Sequence, residues 1–480
     1  MLSSTHVTRG SEAFAYRLDG RSHRSFEDLL SLYHPTSGPV RKVVTYFGSG
    51  GSFRVNVGHS EYYDLDTLYQ QLTGVPSLET GTDGTLFGGG KGFAINDMFA
   101  SSLGEAVERV VGSLAIYQGK ADQILGTVRE LQAQGMRTLT PDEMPLFSPE
   151  QYATPGFLYE PFTEDKRLNW IEGRRMRSGE AIWMPAQLVE MLHVFHPDEA
   201  MIGYSVSGGL SCHVSEQDAL FHGITEVIER DQVNLRWYCR IPPEELVVDA
   251  PPDDHRLRTL LEDIASLPGD VRFYSHSLDF PEVPVITAVQ MDEWLTRLAW
   301  NAGGGVGIDG EAALYGAITE FCQAERTMRM SVLAPQRSVS EAVAAMFDIA
   351  EDADASQMTL FFQAIGFYGH RVNQPKLDWY IKGNPRTTLA ELPVCRPRSA
   401  ADRLAHLDAV LRRKGIDPIV FDFTPDAMDA LRLMKVCIPE LTFAFLQSKP
   451  MLGHPRFAQV MEEFDLPFSG EFNPDPLPYP

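Results

Sequence analysis

Two segments of the chain repeat one charged pattern, E-x-x-E-R. The first copy is EAVER at residues 105–109, and the second is EVIER at residues 226–230. Both copies lie in segments with helical periodicity, and residues three and four apart on a helix share one face. Each copy therefore places two carboxylates side by side, which destabilises a helix unless a cation or a ligand offsets the charge. Carboxylates on two helices suit a hard divalent cation, so the repeat predicts a metal site between two helices.

The composition narrows the classes of function. The 480 residues are enough for one large domain or two to three ordinary ones, and 44% hydrophobic with 22% charged residues is a normal globular balance. A net charge of −24 and short basic runs argue against a nucleic-acid-binding surface. The chain has no run of about 18 apolar residues, so no membrane span is predicted. The N-terminus is polar and has no signal-peptide core, and the five cysteines are scattered, which together predict a cytoplasmic protein. The chain has no C-x-x-C pair, so a structural zinc site is not predicted.

Segments with helical and strand periodicity alternate along the chain, which predicts the α/β class in a mixed α+β form. We expect residues 1–75 to form an N-terminal α/β extension packed on a main domain of residues 76–480, which ends in a proline-rich tail at 467–480. Residues 76–92 are rich in glycine and are expected to form a loop. Helices are expected at residues 97–118, 215–239, 309–330, 340–352 and 400–415. Strands are expected at residues 43–47 and 53–57, within 168–189 (two strands, the second ending at Pro185), within 270–303 and at 418–424.

A third helix adds to the charged pattern. It carries Glu320, Gln323 and Arg326 at three-residue spacing, and in the first helix Ser101 lies four residues before Glu105 on the same face. For any one of these helices, a charged face exposed to water is the more common explanation. Two E-x-x-E-R copies and a third polar helix together favour a Mg²⁺–nucleotide site, with carboxylates on the metal and arginines on phosphate.

Two glycine-rich segments each have a nucleotide-binding and a structural interpretation. FGGGKGF at residues 87–93 would let backbone amides approach a phosphate beside Lys91, although it lacks the glycine and Ser/Thr positions of a Walker A loop. The alternative is a flexible turn. GVGIDG at 305–310 matches G-x-G-x-x-G in form, but no second strand with a terminal acidic residue follows it. We therefore interpret this second segment as a tight turn from a strand into a helix.

The C-terminus reads NPDPLPYP, with proline at positions 474, 476, 478 and 480. Such a segment is stiff and extended, and it can be neither a helix nor a central strand. Three interpretations remain open: a disordered tail, a ligand for a proline-binding domain, or a chain end that threads its terminal carboxylate into a site.

Taken together, these motifs resemble the YcaO family. The matching segments are GGGKGF at 88–93, S-x-x-x-E-x-x-E-R at 101–109, SGGLSCHVSEQDALFHGITEVIERD at 207–231, E-x-x-Q-x-x-R at 320–326 and P-x-P-x-P at 476–480. The resemblance implies a distinct α/β fold of β-sheets and helices that bind ATP with Mg²⁺. It implies that nucleotide and metal are contacted by Lys91, Ser101, Glu105, Glu108, Arg109, Glu226, Glu229, Arg230, Glu320, Gln323 and Arg326. The implied metal ligands among them are Glu105, Glu108, Glu226 and Glu229.

The sequence departs from the family pattern at one point. The family often shows S-N-G before the second helix, where this chain has Ser207, Gly208 and Gly209, and a following small-residue position holds His213. A contact that the family usually makes through asparagine is therefore absent here.

Family members that end in P-x-P-x-P resemble the azoline-forming cyclodehydratases of ribosomal peptide natural products. The resemblance implies that a Cys, Ser or Thr side chain of a precursor peptide attacks the preceding carbonyl, and that ATP phosphorylates the resulting oxyanion so that phosphate leaves. Catalytic contributions are then expected from the tail, through Pro476, Pro478 and Pro480. Thioamide or macroamidine formation is an alternative within the family, and a non-catalytic nucleotide-binding scaffold is an alternative of another class.

The resemblance also implies partners. A separate ThiF-like protein is expected to bind the leader of the precursor peptide, because we identify no such domain within the 480 residues. A flavin-dependent azoline oxidase is a further expected partner, and a homo-oligomer, as a dimer, is the expected assembly. Nucleic acids and membranes are not expected partners.

Overall fold

A computed structural model gives the arrangement of the helices and strands. It describes residues 20–34, 40–48, 53–62, 87–115, 119, 122–267, 269–292, 299–333, 348–358, 362–428, 430–466, 468 and 470–479. The strands are β1 Val40–Tyr46, β2 Asn56–Tyr62, β3 Phe87–Gly92, β4 Gln123–Gly126, β5 Leu168–Arg175, β6 Ala181–Pro185, β7 Leu210–His213, β8 Glu244–Val247, β9 Asp270–Ser275, β10 Val285–Met291, β11 Trp300–Val306, β12 Arg386–Thr388, β13 Ile419–Asp422 and β14 Arg432–Cys437. The α-helices are α1 Gly20–Ser31, α2 Ile95–Ala106, α3 Val128–Ala133, α4 Pro149–Tyr152, α5 Glu216–Tyr238, α6 His255–Ala265, α7 Gly310–Leu333, α8 Phe362–Gly369, α9 Asp378–Ile381, α10 Ala400–Arg413 and α11 Arg456–Glu463. A π-helical turn covers Val107–Val111, and short 3₁₀ helices cover Ala186–Leu188, Ala355–Gln357, Arg371–Leu377 and Leu389–Glu391.

The described strands form three sheets. The first sheet has the order β1-β2-β3, and the second has the order β4-β5-β13-β14-β7 with β6 also paired to β5. The third sheet has the order β11-β10-β9-β8-β12, in which β12 runs parallel to β8 and the other neighbours are antiparallel. Sheets that alternate with helices along the chain confirm the predicted α/β class in its mixed α+β form.

Two long helices, α5 and α7, confirm the predictions for residues 215–239 and 309–330. Helix α5 begins where the Ser215 side chain accepts a hydrogen bond from the Asp218 amide, which satisfies a helix N–H that has no partner within the helix. Most of its residues are buried, and it packs on β14 and α10. No helix in the described parts of the chain is both long and apolar enough to cross a membrane.

Helix α7 lies directly on strand β11 because this strand contains three consecutive glycines. A Cβ on Gly303 would lie 2.1 Å from the Phe321 amide nitrogen, and a Cβ on Gly305 would lie 2.2 Å from the Ala317 amide nitrogen. Only glycine permits so close an approach of two backbones. The structure therefore confirms that GVGIDG belongs to a turn from a strand into a helix.

The predicted loop at residues 76–92 is wrong for its last part. Residues 87–92 form strand β3, which pairs with β2 over its whole length, while residues 76–86 lie outside the described residues. The glycines of β3 pack on helix α2, since a Cβ on Gly90 would lie 2.3 Å from the Ser102 amide nitrogen. Glycine-rich composition favours a loop locally, but strand pairing and close packing on a helix determine the conformation here.

Of four other predicted elements, one helix differs at its C-terminal end, one helix is absent from its described part, and a helix and a strand are confirmed. The sequence predicts one helix over residues 97–118, whereas α2 ends at Ala106 and continues as the π-helical turn at Val107–Val111. The helix predicted at 340–352 is absent from its described part, because residues 348–352 are coil and turn, and residues 340–347 lie outside the described residues. The predictions at 400–415 and 418–424 are confirmed by α10 and β13.

The N-terminal residues share a sheet with the rest of the chain. Strands β1 and β2 form a hairpin and are displaced from the strands predicted at 43–47 and 53–57. Strand β2 pairs with β3, so the three-stranded sheet includes residues from both sides of the predicted boundary at 75–76. The division into an extension and a main domain stays a prediction.

Candidate functional site

The two E-x-x-E-R copies meet at one short segment, residues 209–212. Glu108 of the first copy accepts a hydrogen bond from the Cys212 amide at 2.7 Å, and Glu226 of the second copy accepts one from the Gly209 amide at 3.0 Å. Two amides three residues apart are separated by at most about 10 Å along an extended chain. The structure therefore brings the two charged helices together around the start of strand β7.

Gly209 is required for this arrangement. Its φ is +77°, in the left-handed region that favours glycine, and a Cβ there would lie 2.3 Å from the Val436 carbonyl oxygen. The residue can therefore direct its amide to Glu226 only as glycine. It is the third position of the Ser207-Gly208-Gly209 segment.

Strand β3 and the π-helical turn position the first copy. Glu105 accepts a hydrogen bond from the Gly89 amide at 2.7 Å and pairs with Arg109 at 3.5 Å. The π-helical turn contains both Glu108 and Arg109, and such turns are frequent at functional sites. Ser101, one helical turn before Glu105, has an exposed side chain.

Three carboxylates of the site bind protons more tightly than ordinary glutamates. Burial of the carboxyl group, together with the charges of Glu105 and Glu226, raises the pKa of Glu108 to about 8. Burial, together with the charges of Glu320 and Glu226, raises the pKa of Glu229 to about 7. The pKa of Glu226 is raised by burial as well. A bound cation would therefore stabilise the charged forms of these carboxylates.

Three cationic side chains lie among these carboxylates. Arg230 keeps a raised pKa although burial lowers it, because the charges of Glu229 and Glu226 outweigh the burial. Lys91 on β3 pairs with Glu320 on α7 at 2.9 Å, and 28% and 32% of these two side chains are exposed. The third cation is Arg109 of the π-helical turn. Arginine and lysine side chains at an open site are suitable ligands for phosphate.

Two polar residues of helix α7, Gln323 and Arg326, lie in different environments. Gln323 lies against strand β3, since a Cβ on Gly89 would be 1.8 Å from its Nε2. Arg326 instead donates to the carbonyl oxygen of Phe47 at 3.0 Å and to that of Phe53 at 2.6 Å. Its guanidinium thus joins Phe47, which follows β1, to Phe53, which precedes β2. The contact between Arg326 and a nucleotide stays a prediction.

The donor set suits a magnesium ion bound together with a nucleotide. Among the described residues, no three acidic, histidine or cysteine side chains converge into a closed metal cage. Mg²⁺ usually keeps several waters and is held by one or two carboxylates plus substrate phosphates, so an open row of carboxylates fits it. Glu108 and Glu226 each receive an amide hydrogen bond on one oxygen, which orients the carboxylate toward the site.

Aromatic side chains clamp the proline-rich tail in the protein interior. Three of them donate hydrogen bonds to backbone carbonyls of the tail, namely Trp237 to Asp475 at 2.9 Å, Tyr368 to Pro476 at 2.6 Å and Trp300 to Pro478 at 2.9 Å. The described tail residues form neither helix nor strand, as predicted. Residues 475–479 are buried or half-buried, so the disordered-tail interpretation is wrong for them. Pro480 lies outside the described residues.

The tail runs toward the carboxylates of α5. The Tyr479 hydroxyl lies 3.3 Å from Thr287 Oγ1 on β10, and Thr287 is the register partner of Gly304 on β11. A Cβ on Gly304 would lie 2.8 Å from Glu229 Oε1. Two neighbouring strand positions therefore separate Tyr479 from Glu229. Catalytic roles for Pro476, Pro478 and Pro480 stay predictions.

Sequence reasoning missed two kinds of group. The amides of Gly89, Gly209 and Cys212 have no residue-type signature, because every residue other than proline has an N–H. The three aromatic clamps of the tail cannot be distinguished by sequence from ordinary core residues. His213, noted as a departure from the family pattern, lies on β7 with its ring stacked on that of His222 at 5.1 Å between centroids.

Comparison with known proteins agrees with this geometry. Residues 89–442 match the family described as YcaO cyclodehydratase, ATP- and Mg²⁺-binding. An uncharacterized protein of Methanothermobacter thermautotrophicus is 25% identical over 309 residues, which cover 63% of this chain and 72% of that protein.

Solved structures share the fold. A heterocyclase in complex with substrate and cofactor has a TM-score of 0.73 and 19% identity over 95% of this chain, and this chain spans 57% of that heterocyclase. The YcaO protein of Methanopyrus kandleri, bound with AMPPCP and Mg²⁺, has a TM-score of 0.56 and 18% identity, and the match covers 88% of this chain and 89% of that one. The family match confirms the resemblance seen in the motifs, together with ATP and Mg²⁺ as the cofactors. The chain belongs to the YcaO family of ATP- and Mg²⁺-binding cyclodehydratases.

Proposed function

We propose that this protein is an ATP-dependent peptide cyclodehydratase that converts Cys, Ser or Thr of a ribosomally made precursor into thiazoline or oxazoline. The observation that carries the proposal is the meeting of two E-x-x-E-R helices at residues 209–212, where carboxylates outnumber their cations. The proline-rich tail runs toward the same carboxylates. Membership of the YcaO family supports this assignment.

In the proposed reaction, the thiol or hydroxyl of the substrate side chain adds to the carbon of the preceding amide carbonyl. Mg·ATP, when bound, supplies the phosphoryl group that turns the former carbonyl oxygen into a leaving group. The C–O bond then breaks, phosphate departs and a C=N bond forms. The peptide thereby loses the elements of one water for each ring, and ATP is hydrolysed to ADP and phosphate.

Each part of the site has a role in this proposal. Glu105, Glu108, Glu226 and Glu229 would hold the metal, and the amides that hydrogen-bond Glu108 and Glu226 keep these two carboxylates oriented. Arg109 and Arg230 offset the charge of the phosphate groups. The tail would lie beside the reacting amide, and the carbonyls of Asp475, Pro476 and Pro478 are fixed by hydrogen bonds from rigid indole and phenol groups.

Partners remain part of the proposal. A separate ThiF-like protein would deliver the leader of the precursor peptide. A flavin-dependent oxidase would then oxidise azolines to azoles. We also propose a cytoplasmic location and a dimeric assembly.

The decisive experiment combines the purified chain, a ThiF-like partner and a precursor peptide with Mg·ATP. We expect phosphate release and a peptide mass lower by one water for each ring formed. A peptide with its Cys, Ser and Thr residues replaced by alanine is the control and should show neither change. Full ATP turnover with an unchanged peptide mass would contradict the proposal.

The same experiment separates the alternatives. A requirement for a sulfide donor would indicate thioamide formation, and an amine nucleophile would indicate macroamidine formation. Calorimetry that detects no binding of Mg·ATP would favour a scaffold without catalytic activity.

A further inference from the structure

Lys435 on strand β14 is a buried cation whose contacts are all with neutral groups. Its residue is 4% exposed, and its ammonium donates to the carbonyl oxygens of Val206 and Gly208, each at 2.7 Å. A third, longer contact of 3.5 Å reaches Ser205 Oγ. No carboxylate of the described residues forms an ion pair with it. Burying an ammonium group without an ionic partner is unfavourable, so its position calls for an explanation.

The two carbonyls that Lys435 binds precede the amide that reaches Glu226. Gly208 directs its carbonyl to the ammonium, and the next residue, Gly209, directs its N–H to Glu226 Oε2 at 3.0 Å. The Gly209 carbonyl in turn accepts a hydrogen bond from the Val436 amide at 2.8 Å. Lys435 and its neighbour on β14 therefore fix the peptide groups on both sides of Gly209. Because a peptide group is planar, holding these carbonyls also sets the direction of the Gly209 N–H.

A small cavity of about 30 Å³ lies between the contact of Lys435 with Gly208 and helix α5. Its lining includes Gly208 and Lys435 on one side and Val227 and Arg230 of α5 on another. Burial lowers the pKa of Lys435, and the Glu226 carboxylate opposes that shift. The ammonium is therefore close enough to Glu226 to interact with its charge while its hydrogen bonds go to the loop.

We propose that Lys435 is a positioning residue, which fixes the 205–209 loop so that the Gly209 amide orients Glu226 for Mg²⁺ bound with a nucleotide. The inference rests on the proposed function of the same site. Lys435 acts only through the loop and does not touch the ligand.

The test separates metal-dependent binding from general stability. Affinity for the ATP analogue AMPPCP is measured by calorimetry with and without Mg²⁺, in the wild type and in Lys435→Met and Lys435→Gln. The readout is the affinity with Mg²⁺ divided by the affinity without Mg²⁺. We expect the variants to lower this ratio at least about 10-fold, the effect usual for a residue that orients a metal ligand, while metal-free affinity changes little.

Two further variants make the outcome specific. Lys414→Met removes a lysine from a partly exposed contact away from the loop, the 2.8 Å ion pair with Asp279, and should leave the ratio within twofold of the wild type. Glu226→Gln should lower the ratio as Lys435→Met does. A folded Lys435 variant with a normal ratio would overturn the inference, and so would failure of both Lys435 variants to fold, since the lysine would then support the whole fold. A normal ratio in Glu226→Gln would instead count against the proposed metal site itself.

Discussion

The close packing of strand β3 on helix α2 makes Gly90→Ala a sensitive test of how the first carboxylates are positioned. The added Cβ would lie 2.3 Å from the Ser102 amide nitrogen and 2.5 Å from the Met98 carbonyl oxygen. Both contacts are with helix backbone, which cannot rotate away as a side chain can. Ordinary contact begins near 3.4 Å, so the helix and the strand have to separate by about 1 Å.

This separation has two expected consequences. Overpacking a well-packed contact usually lowers the free energy of unfolding by about 1–3 kcal/mol, and rigid backbone on both sides places this variant at about 3 kcal/mol. The hydrogen bond from the Gly89 amide to Glu105, now 2.7 Å long, would lengthen by a similar distance and be lost. We therefore expect weaker Mg·nucleotide binding as well as lower stability.

Urea unfolding followed by circular dichroism measures the first effect, and calorimetry with Mg·AMPPCP measures the second. Gly104→Ala is the stability control, because it lies in the same helix and its Cβ would have no heavy atom within 4 Å. Alanine in a helix is about 0.5–1 kcal/mol more favourable than glycine, so this control should be slightly more stable than the wild type. A Gly90→Ala protein with wild-type stability and nucleotide affinity would refute the packing argument.

Three further predictions concern charge, pH and the tail. Glu229→Gln should weaken Mg·AMPPCP binding at least about 10-fold in calorimetry, because a neutral amide cannot balance the metal charge. For His193, burial lowers the pKa, but hydrogen bonds at 3.0 Å to Glu190 and Glu199 raise it to about 9, above its ordinary 6.5. This raised pKa contributes roughly 3 kcal/mol of stability below pH 6.5, which is lost as the pH rises through 9 in urea titrations. Trp300→Phe removes the donor to the Pro478 carbonyl and should lower the rate of ring formation, followed by mass spectrometry, more than nucleotide affinity.

Each of these predictions has a result that contradicts it. Unchanged affinity in Glu229→Gln would remove this residue from the metal site. If His193→Gln loses as much stability as the wild type between pH 6.5 and 10, the buried pair of carboxylates does not raise the histidine pKa. Equal losses of ring formation and nucleotide binding in Trp300→Phe would mean that the tail is only structural.

Much of the site could be predicted from sequence because its side chains recur at helical spacing. The prediction that the copies at 105–109 and 226–230 belong to a site depends only on this spacing and on the repulsion of like charges. In the structure both copies lie in helical turns that come together around residues 209–212. The strand-to-helix turn at 305–310 is predictable from its local glycine-rich sequence. The loop prediction is wrong over residues 87–92 because this segment pairs with β2 and packs on α2. Local composition contains no information about these two contacts.

The sequence by itself determined the helical pattern of the E-x-x-E-R copies, the stiff extended tail and the family, since these depend on neighbouring residues and on motifs in a set order. Only the tertiary structure decided that Arg326 donates to the Phe47 and Phe53 carbonyls, that Trp300 donates to the Pro478 carbonyl and that Lys435 donates to the Gly208 carbonyl. These contacts join residues far apart in the chain, and most of them end on backbone carbonyls or amides. Such groups are the same in almost every residue, so only folding determines which ones a side chain reaches.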